Sequence, residues 1–536
     1  MFTNKFTKVF TNLLLLILSA FLFALPNPGF IFSKGAPIIA WFAYIPLFIL
    51  VNRISCKTSW IYGFFYGVLC YCFYVFWMVT FHPLGIFAVS IEHGVFLIPT
   101  FLCMSFAKKL FNKHGWILQF IILVAYEYLK TCGYGGFNYG VTGYTQYKYP
   151  MICQIANIAG VWSLSALIVF VSAWISKVII DFNNYDKNIN QSKIERIRNV
   201  IDNHTISALI WIVCFIFTLV YGKINMKDYS SYSKVKIAAV QNNTDPWNGN
   251  IEVYKRDVKN LIKLSEKAIL ENPDIEIVVW PETSVVPAII QNYNERFDSE
   301  RFNLVDGLLK YINQQKQIFV IGNDHKVNKD DYNSVLVFRP QENVIPPKPE
   351  MYQKIHLVPF TEYFPLQNQL PDLYQKLIDT GSHFWIPGKK NTVFYYKDLR
   401  FCTPVCFEDT FGKSVRDMYN SGARAIINLS NDAWSKSVAC QYQHLAMATF
   451  RSIEFKIPSV RSTASGQTCF IDPNGSIIAM SEPFQENYII NEIPIIPSNS
   501  KNTIYSKIGD LFGQLIALIA LFWLLLGVFL KVKNRR

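Results

Sequence analysis

The sequence predicts a polytopic α-helical membrane domain interrupted by one water-soluble α/β domain. Three observations carry this reading. Hydrophobic residues make up 51% of the 536-residue chain and charged ones 17%, against about 25% charged in soluble proteins. The shortage of charge is confined to the two ends of the chain, and residues 224–505 between them have ordinary globular composition. Basic clusters fall on alternate connections between apolar runs, which is how a membrane protein fixes its orientation.

Eight apolar runs are candidate spans: Val9–Leu25, Gly35–Val51, Trp60–Thr80, Leu84–Ala107, Trp116–Cys132, Ile158–Ile180, Ile206–Tyr221 and Asp510–Leu530. Several are near the lower limit of ~17 residues for crossing a bilayer. The first has Lys5 and Lys8 ahead of Leu13–Leu18, as a signal peptide would. No small-residue cleavage site follows, so it reads as a retained helix. Lys5/Lys8, Arg53/Lys57, Lys108/Lys109/Lys113, the Lys187–Arg198 loop and the tail Lys531–Arg536 then share the cytoplasmic side. Seven spans in residues 1–223 carry the chain outside, residues 224–505 form an exported domain, and residues 506–536 return it. In this topology both termini are cytoplasmic and the soluble domain faces away from the cytoplasm.

The net charge of +13 would suit nucleic acid, but orientation accounts for much of it, and no nucleic-acid partner is expected. Eleven cysteines form no CxxC pair and no zinc-type Cys/His spacing. Seven lie in or beside the apolar half, where cysteine serves as a small hydrophobe. Asp181–Asn203, rich in Asn, Asp and Lys, reads as a solvated loop. Glu92, His93 and Glu127 stand out within the spans, since an intramembrane carboxylate is costly.

Inside the insert, β-type runs recur at Lys234–Gln241, Ile275–Trp280, Ile318–Gly322, Ser334–Arg339, Thr392–Tyr396, Leu399–Cys406, Ala425–Leu429, Ser459–Arg461 and Thr468–Asp472. Helical patterns occupy Ile251–Leu270, Phe302–Lys316, Phe411–Tyr419 and Ala439–Phe455. Some strands follow one another directly, so two sheets with helices outside fit better than one doubly wound sheet.

Three segments carry chemistry. Val279-Trp280-Pro281-Glu282-Thr283 is an apolar strand ending in a carboxylate. Tyr352-Gln353-Lys354-Ile355-His356-Leu357-Val358-Pro359-Phe360-Thr361-Glu362 places a lysine eight residues before a carboxylate. Thr403-Pro404-Val405-Cys406-Phe407-Glu408-Asp409 ends a strand at a thiol. Each has an ordinary explanation alone: a solvated acid, a surface lysine, a core cysteine. Together, a base, a cation and a thiol are the parts of a nucleophilic acyl transfer. A free thiol has a pKa near ~8.5 and needs a base or cation to attack at neutral pH. A lysine and a backbone N–H can hold the resulting oxyanion.

In their order and motifs these segments resemble the nitrilase superfamily. The resemblance implies an αββα sandwich and a catalytic triad of Glu282, Lys354 and Cys406. It implies supporting roles for Glu362, Glu408 and the backbone of Phe407. With the membrane spans included, nearly the whole chain resembles the apolipoprotein N-acyltransferases. His356-Leu357-Val358-Pro359-Phe360, Gln241-Asn242-Asn243, Asn431-Asp432-Ala433-Trp434, Gln443-His444 through Arg451 and Glu454, and Arg461 carry that likeness. So do Glu127-Tyr128-Leu129-Lys130 and Gly136–Gly140 through Gln154 and Gly160 in the membrane half.

That resemblance implies a two-step reaction. A phospholipid gives a fatty acyl chain to Cys406, and the α-amino group of a diacylglyceryl-modified apolipoprotein takes it as an amide. Thioester to amide is downhill, so no metal, ATP or other cofactor is implied; membrane lipids are the surroundings. Tyr352, Trp247, Trp434 and Trp385 are the candidate substrate-binding residues, and Pro365–Pro387 is a candidate lipid-facing lid. Thr361 stands where the family has glycine, Phe407 where tyrosine is common, Asn138 in place of proline, and Thr463-Ala464-Ser465-Gly466 departs from Thr-Asn-x-Gly. A membrane-tethered amidohydrolase and a non-enzymatic lipid-binding transporter or sensor are the alternatives.

Overall fold

A computed structural model describes residues 2–533 apart from 82, 134, 186–192 and 245–248. The chain divides into two compact units, residues 1–226 with 507–536, and residues 227–506.

The first unit is helical. Five stretches are long and apolar enough to cross a membrane by length and composition: Phe6–Ala24, Gly85–Leu129, Val161–Asn183, Ile197–Asn225 and Leu511–Lys533. The second of these is two helices, Gly85–Phe111 and Gly115–Leu129, joined by a turn at Asn112–His114. Two expected spans are shorter than expected. The 35–51 run is split into a 3-10 turn and the nine-residue helix Ile45–Arg53, with Pro37 and Pro46 each at the start of a segment. The 60–80 run yields the 16-residue helix Ser59–Tyr74. Asp181–Asn203 is also less of a loop than expected. Its described residues from Lys193 onward already belong to a 33-residue helix, Lys193–Asn225, because a stretch free of proline and glycine and rich in Lys, Arg, Glu and Ile has no reason to break it.

Glu127, singled out in the sequence, and its neighbour Lys130 pin one irregular segment. Glu127 is buried and accepts from the Thr142 N–H at 3.2 Å and the Tyr44 hydroxyl at 3.3 Å. Lys130 Nζ donates to the Tyr71 hydroxyl and the Tyr139 carbonyl, each at 2.7 Å. Non-helical backbone at residues 137–146 thus finds partners, as a low-dielectric surrounding requires. Glu92 is exposed on its helix, and His93 is buried beside Tyr71.

Among its described residues the second unit holds twelve strands in two six-stranded sheets. The first sheet runs β12-β1-β2-β3-β4-β5 and the second β11-β10-β9-β8-β7-β6. Here β1 is Lys234–Gln241, β2 Ile277–Val279, β3 Ile318–Val327, β4 Asp330–Phe338 and β5 Glu350–Gln353. In the other half β6 is Phe394–Tyr396, β7 Leu399–Cys402, β8 Ala425–Ser430, β9 Ser459–Thr463, β10 Cys469–Ile471, β11 Ile477–Met480 and β12 Asn487–Pro494. Each sheet has three central parallel strands flanked by antiparallel ones.

Period-two alternation builds the layers. Val235, Ile237 and Ala239 of β1 face the second sheet, in a core with Val320, Val337, Phe401, Ile427, Leu429 and Val460. Ala238 and Val240 face the other way, onto the helices Ile251–Glu271 and Ser299–Asn313 through Val258, Leu261 and Leu308. Helices Gly412–Asn420 and Val438–Phe455 follow β7 and β8. The insert is therefore the two-sheet sandwich that the sequence predicts. Strands β5, β11 and β12 were outside the sequence expectation. β12 pairs antiparallel with β1 along its whole length, from Lys234↔Pro494 to Gln241↔Asn487.

Candidate active site

Strand ends deliver the chemical groups. β2 stops at Val279, and Trp280, fully buried, anchors the exit by donating its indole N–H to Ser265 Oγ at 2.9 Å. Pro281 and Glu282 follow, with Thr283 at φ +43°. The loop lies so close on β3 that a Cβ at Gly322 would strike Pro281 O and the Glu282 Cα; only glycine fits there. β5 ends at Gln353, and the Lys354 N–H donates to the Asn333 carbonyl at 2.8 Å.

Lys354 has no exposed surface. Its Nζ donates to Glu282 Oε1 at 3.1 Å and to Glu362 Oε1 at 2.7 Å. Burying an ammonium costs several kcal/mol, while a carboxylate ~4 Å away at an effective dielectric of ~20 returns about 4 kcal/mol. Two close carboxylates therefore win. Burial opposes the charge, but Glu282 and Glu362 hold the Lys354 pKa well above the ordinary lysine value. Glu362 is in turn fixed by the Val358 N–H on Oε2 at 2.9 Å, and Glu282 by Asn333 Nδ2 on Oε1 at 2.8 Å.

Cys406 follows the short Thr403–Val405 segment, in which Val405 bridges Leu429 of β8. It opens a 3-10 turn, Cys406–Thr410, and takes φ +50°. A left-handed conformation at a non-glycine residue stores of order 1–3 kcal/mol and needs surrounding structure to hold it. Asn428 supplies part of that hold, its Nδ2 donating to the Pro404 carbonyl at 2.9 Å and the Cys406 carbonyl at 3.2 Å. Burial and the Glu282 carboxylate push the Cys406 pKa well above the ordinary thiol value, with Lys354 pulling the other way. The resting sulfur is a thiol, so its proton must leave during attack.

Glu408, expected in a supporting role, lies in the Cys406–Thr410 turn. Its Oε1 accepts from the Ile355 and His356 N–H groups at 2.8 and 2.9 Å, and Oε2 from the Val405 N–H at 2.8 Å. The Tyr352 hydroxyl donates to both oxygens at 2.9 and 3.0 Å. Tyr352, expected among the substrate contacts, is correspondingly 1% exposed and serves to hold Glu408. Glu408 thereby ties the lysine loop to the thiol turn.

The remaining candidates divide. Phe407 is half-buried and packs edge-on against Phe411, centroids 4.8 Å apart. Trp434 and Trp385 are half-buried, and Trp247 lies outside the described residues. Trp385 belongs to the expected lid, which contains an unforeseen helix, Pro371–Asp379. Phe364, Tyr374 and Phe384 stack there, while Leu370 and Leu373 stay exposed. The segment is sewn down by N–H donors from Trp385 to Glu362 O, Ile386 to Asp331 O and Gly388 to Lys354 O, each at 2.8 Å. His356 bonds Ser414 Oγ through Nδ1 at 2.9 Å and stacks on Phe411, which removes it from a Cys–His pairing.

Behind the thiol turn lies a second buried charge cluster. His444 sits between Asp409 on Nε2 at 2.9 Å and Asp432 on Nδ1 at 3.0 Å, and Arg461 also binds Asp409. Burial opposes the imidazolium, but Asp432 and Asp409 hold its pKa at about 9. Asp409 is also buried, yet Arg461 and His444 hold its carboxyl below the usual range. Arg451 donates to Glu454 at 2.8 Å and to the Thr410 carbonyl at 3.1 Å. Sequence motifs pointed to most of these residues without pairing them. Asn333 was missed altogether, since an asparagine opening a β-run reads as a turn residue. Among the described residues no group of three or more His, Cys, Asp or Glu side chains is arranged to hold a metal ion.

Two family models match the chain: Carbon-nitrogen hydrolase over residues 236–495, and Apolipoprotein N-acyltransferase N-terminal domain over residues 9–174. A protein of Treponema denticola named Apolipoprotein N-acyltransferase 1 is 39% identical, covering 98% of this chain and 99% of its own. One of the same name from Treponema pallidum is 36% identical, covering 96% and 95%. Among solved structures, a nitrilase-superfamily protein of Saccharomyces cerevisiae aligns over 52% of this chain and 95% of its own, at 19% identity and TM-score 0.36.

Proposed function

The chain belongs to the apolipoprotein N-acyltransferase family, and we propose that Glu282, Lys354 and Cys406 perform its acyl transfer. It is an acyltransferase of the carbon–nitrogen hydrolase superfamily and a membrane protein. The observation that carries the site assignment is the fully buried Lys354 ammonium bridging Glu282 and Glu362, with its field acting on the Cys406 thiol.

Glu282 takes the Cys406 proton as sulfur attacks the ester carbonyl of a phospholipid. Lys354 and the Phe407 N–H hold the oxyanion. The ester C–O bond breaks, Glu282 returns the proton to the departing glycerol oxygen, and a lysophospholipid leaves. Cys406 now carries a thioester. The α-amine of a diacylglyceryl-cysteine on the acceptor protein attacks it, an amide forms, and the thiol is regained with Glu282 again moving the proton. Glu362 keeps Lys354 charged and aimed; Glu408 positions the turn. Exposed Phe360, Leu366, Leu370 and Leu373 support contact between the lid and lipid. Trp385 and Trp434 offer aromatic surface to the substrates. Residues 224–505 act on the periplasmic side of the bacterial inner membrane, and both termini are cytoplasmic.

Intact-protein mass spectrometry tests the site. Mixing with phospholipid should add one fatty-acyl mass at Cys406, removed again by a diacylated lipopeptide. Absence of the adduct from the unsubstituted protein would sink the assignment. Ammonia release from amides would instead favour a tethered hydrolase. An impermeant thiol reagent should fail to label a cysteine placed at position 190 in intact cells; labelling there would reverse the orientation.

A further inference from the structure

The second half-reaction poses a proton problem that the triad alone does not solve. An N-terminal α-ammonium has a pKa of ~7.7–8.0, so near neutrality the acceptor arrives protonated and without a lone pair. Between ammonium and amide the nitrogen loses two protons. One returns to the Cys406 sulfur through Glu282. The other needs a second base.

A second acidic side chain stands beside the first. Asp324, on β3, is the register partner of Asn333 on β4, so their side chains lie on the same face a few ångströms apart. Asn333 is the residue whose Nδ2 holds Glu282 at 2.8 Å, and it is 1% exposed. The Trp385 indole N–H is a donor directed at the Asp324 carboxyl, which leaves Asn333 Oδ1 as the buried acceptor without one. A buried acceptor oxygen without a donor, next to a carboxylate, is expensive to leave empty. Together they match a ligand with N–H donors and a positive charge. The charge count agrees: Lys354 and Lys326 are the cations against Glu282, Glu362, Asp331 and Asp324.

We infer that Asp324, with Asn333 Oδ1, seats the α-ammonium of the acyl acceptor and takes its first proton, leaving Glu282 free for the second. The inference rests on the acyl-transfer reading above. In balance, ammonium and Asp324 carboxylate give free amine and protonated Asp324. The amine nitrogen then bonds to the thioester carbon as C–S breaks. The second N–H proton passes through Glu282 to sulfur, and Asp324 releases its own to solvent. Burial and the neighbouring Asp331 push the Asp324 carboxyl up to about 7, against the opposing pull of Lys326 and the Trp385 N–H, with Glu282 adding to the rise. Lys326 and His383 are both directed at Asp331, at 3.1 and 3.6 Å. A base of that strength is matched to an amine of pKa ~7.7–8.0.

The test separates the two half-reactions of the full-length protein in detergent, with phospholipid as donor and a diacylated lipopeptide as acceptor. Asp324→Asn should acylate Cys406 at the unsubstituted rate but transfer to the lipopeptide roughly tenfold more slowly at pH 7, the penalty of relying on the free-amine fraction alone. The gap should close above pH ~8, where the amine is free without help. Hydroxylamine, a nucleophile uncharged at neutral pH, should discharge both acyl-enzymes equally fast, and Asp324→Glu should recover rate at pH 7. Loss of acylation in Asp324→Asn, equal slowing with hydroxylamine, or a pH-independent gap would each overturn the inference. Failure of the unsubstituted protein to acylate would instead remove the reading beneath it.

Discussion

Two buried charge clusters lie on either side of the Cys406 turn, and they differ in one respect. Behind the turn, Asp409 and Asp432 face His444 and Arg461, and Glu454 faces Arg451; anions and cations balance. In front of it, Lys354 alone faces Glu282 and Glu362. A balanced cluster has no use for a newcomer and serves as scaffold. An unbalanced one is built to exchange protons and receive a cation. The difference separates residues that do the reaction from residues that hold it in shape.

Substitutions can break that distinction. Cys406→Ala should abolish the acyl adduct and cut transfer by on the order of 10⁴–10⁶-fold, with an unchanged melting temperature. Glu282→Gln should leave the adduct detectable but slow both half-reactions by about 10²–10⁴-fold. His444→Ala should do the reverse. It strips Asp432 of its buried cation and leaves Asp409 with Arg461 alone, so unfolding stability of the soluble domain should fall by roughly 3–5 kcal/mol, read by thermal melting. Transfer by the fraction still folded should change far less. If His444→Ala instead behaved like Glu282→Gln, the cluster behind the turn would belong to the chemistry. Phe407→Tyr sits at the bottom of the scale: its ring packs on Phe411, and activity should stay within about threefold.

The same contrast has a pH signature. His444 carries a folded pKa of about 9 against ~6.5 unfolded. A raised basic group contributes its full stability below pH ~6.5, and that contribution fades as pH climbs through about 9. Melting temperature should therefore decline across pH 7–10 in the unsubstituted protein, and more shallowly in His444→Ala.

The triad was legible in the sequence because Glu282, Lys354 and Cys406 each follow a strand in a motif of its own. Glu282 follows an apolar run and a proline, and Cys406 follows another. The β-type runs and helical patterns outlined the sandwich as well, the expected helix Ile251–Leu270 forming as Ile251–Glu271. What escaped were pairings that only register creates. Asp324 and Asn333 are neighbours because β3 and β4 pair as they do, and nothing local in either residue announces it. The rear cluster draws on a turn, a loop, a helix and a strand, so its members are recognisable singly but not as partners. The direction of Glu408 is set by a 3-10 turn that the strand-like sequence before it does not betray.

The clasp between β1 and β12 sets a clock on the protein's own synthesis. The strand that opens the soluble domain waits for the strand that closes it, with the entire catalytic apparatus threaded between them. Until residue 494 has emerged, β1 has no partner on that side, so the first sheet can be completed only after Glu282, Lys354 and Cys406 have all been made.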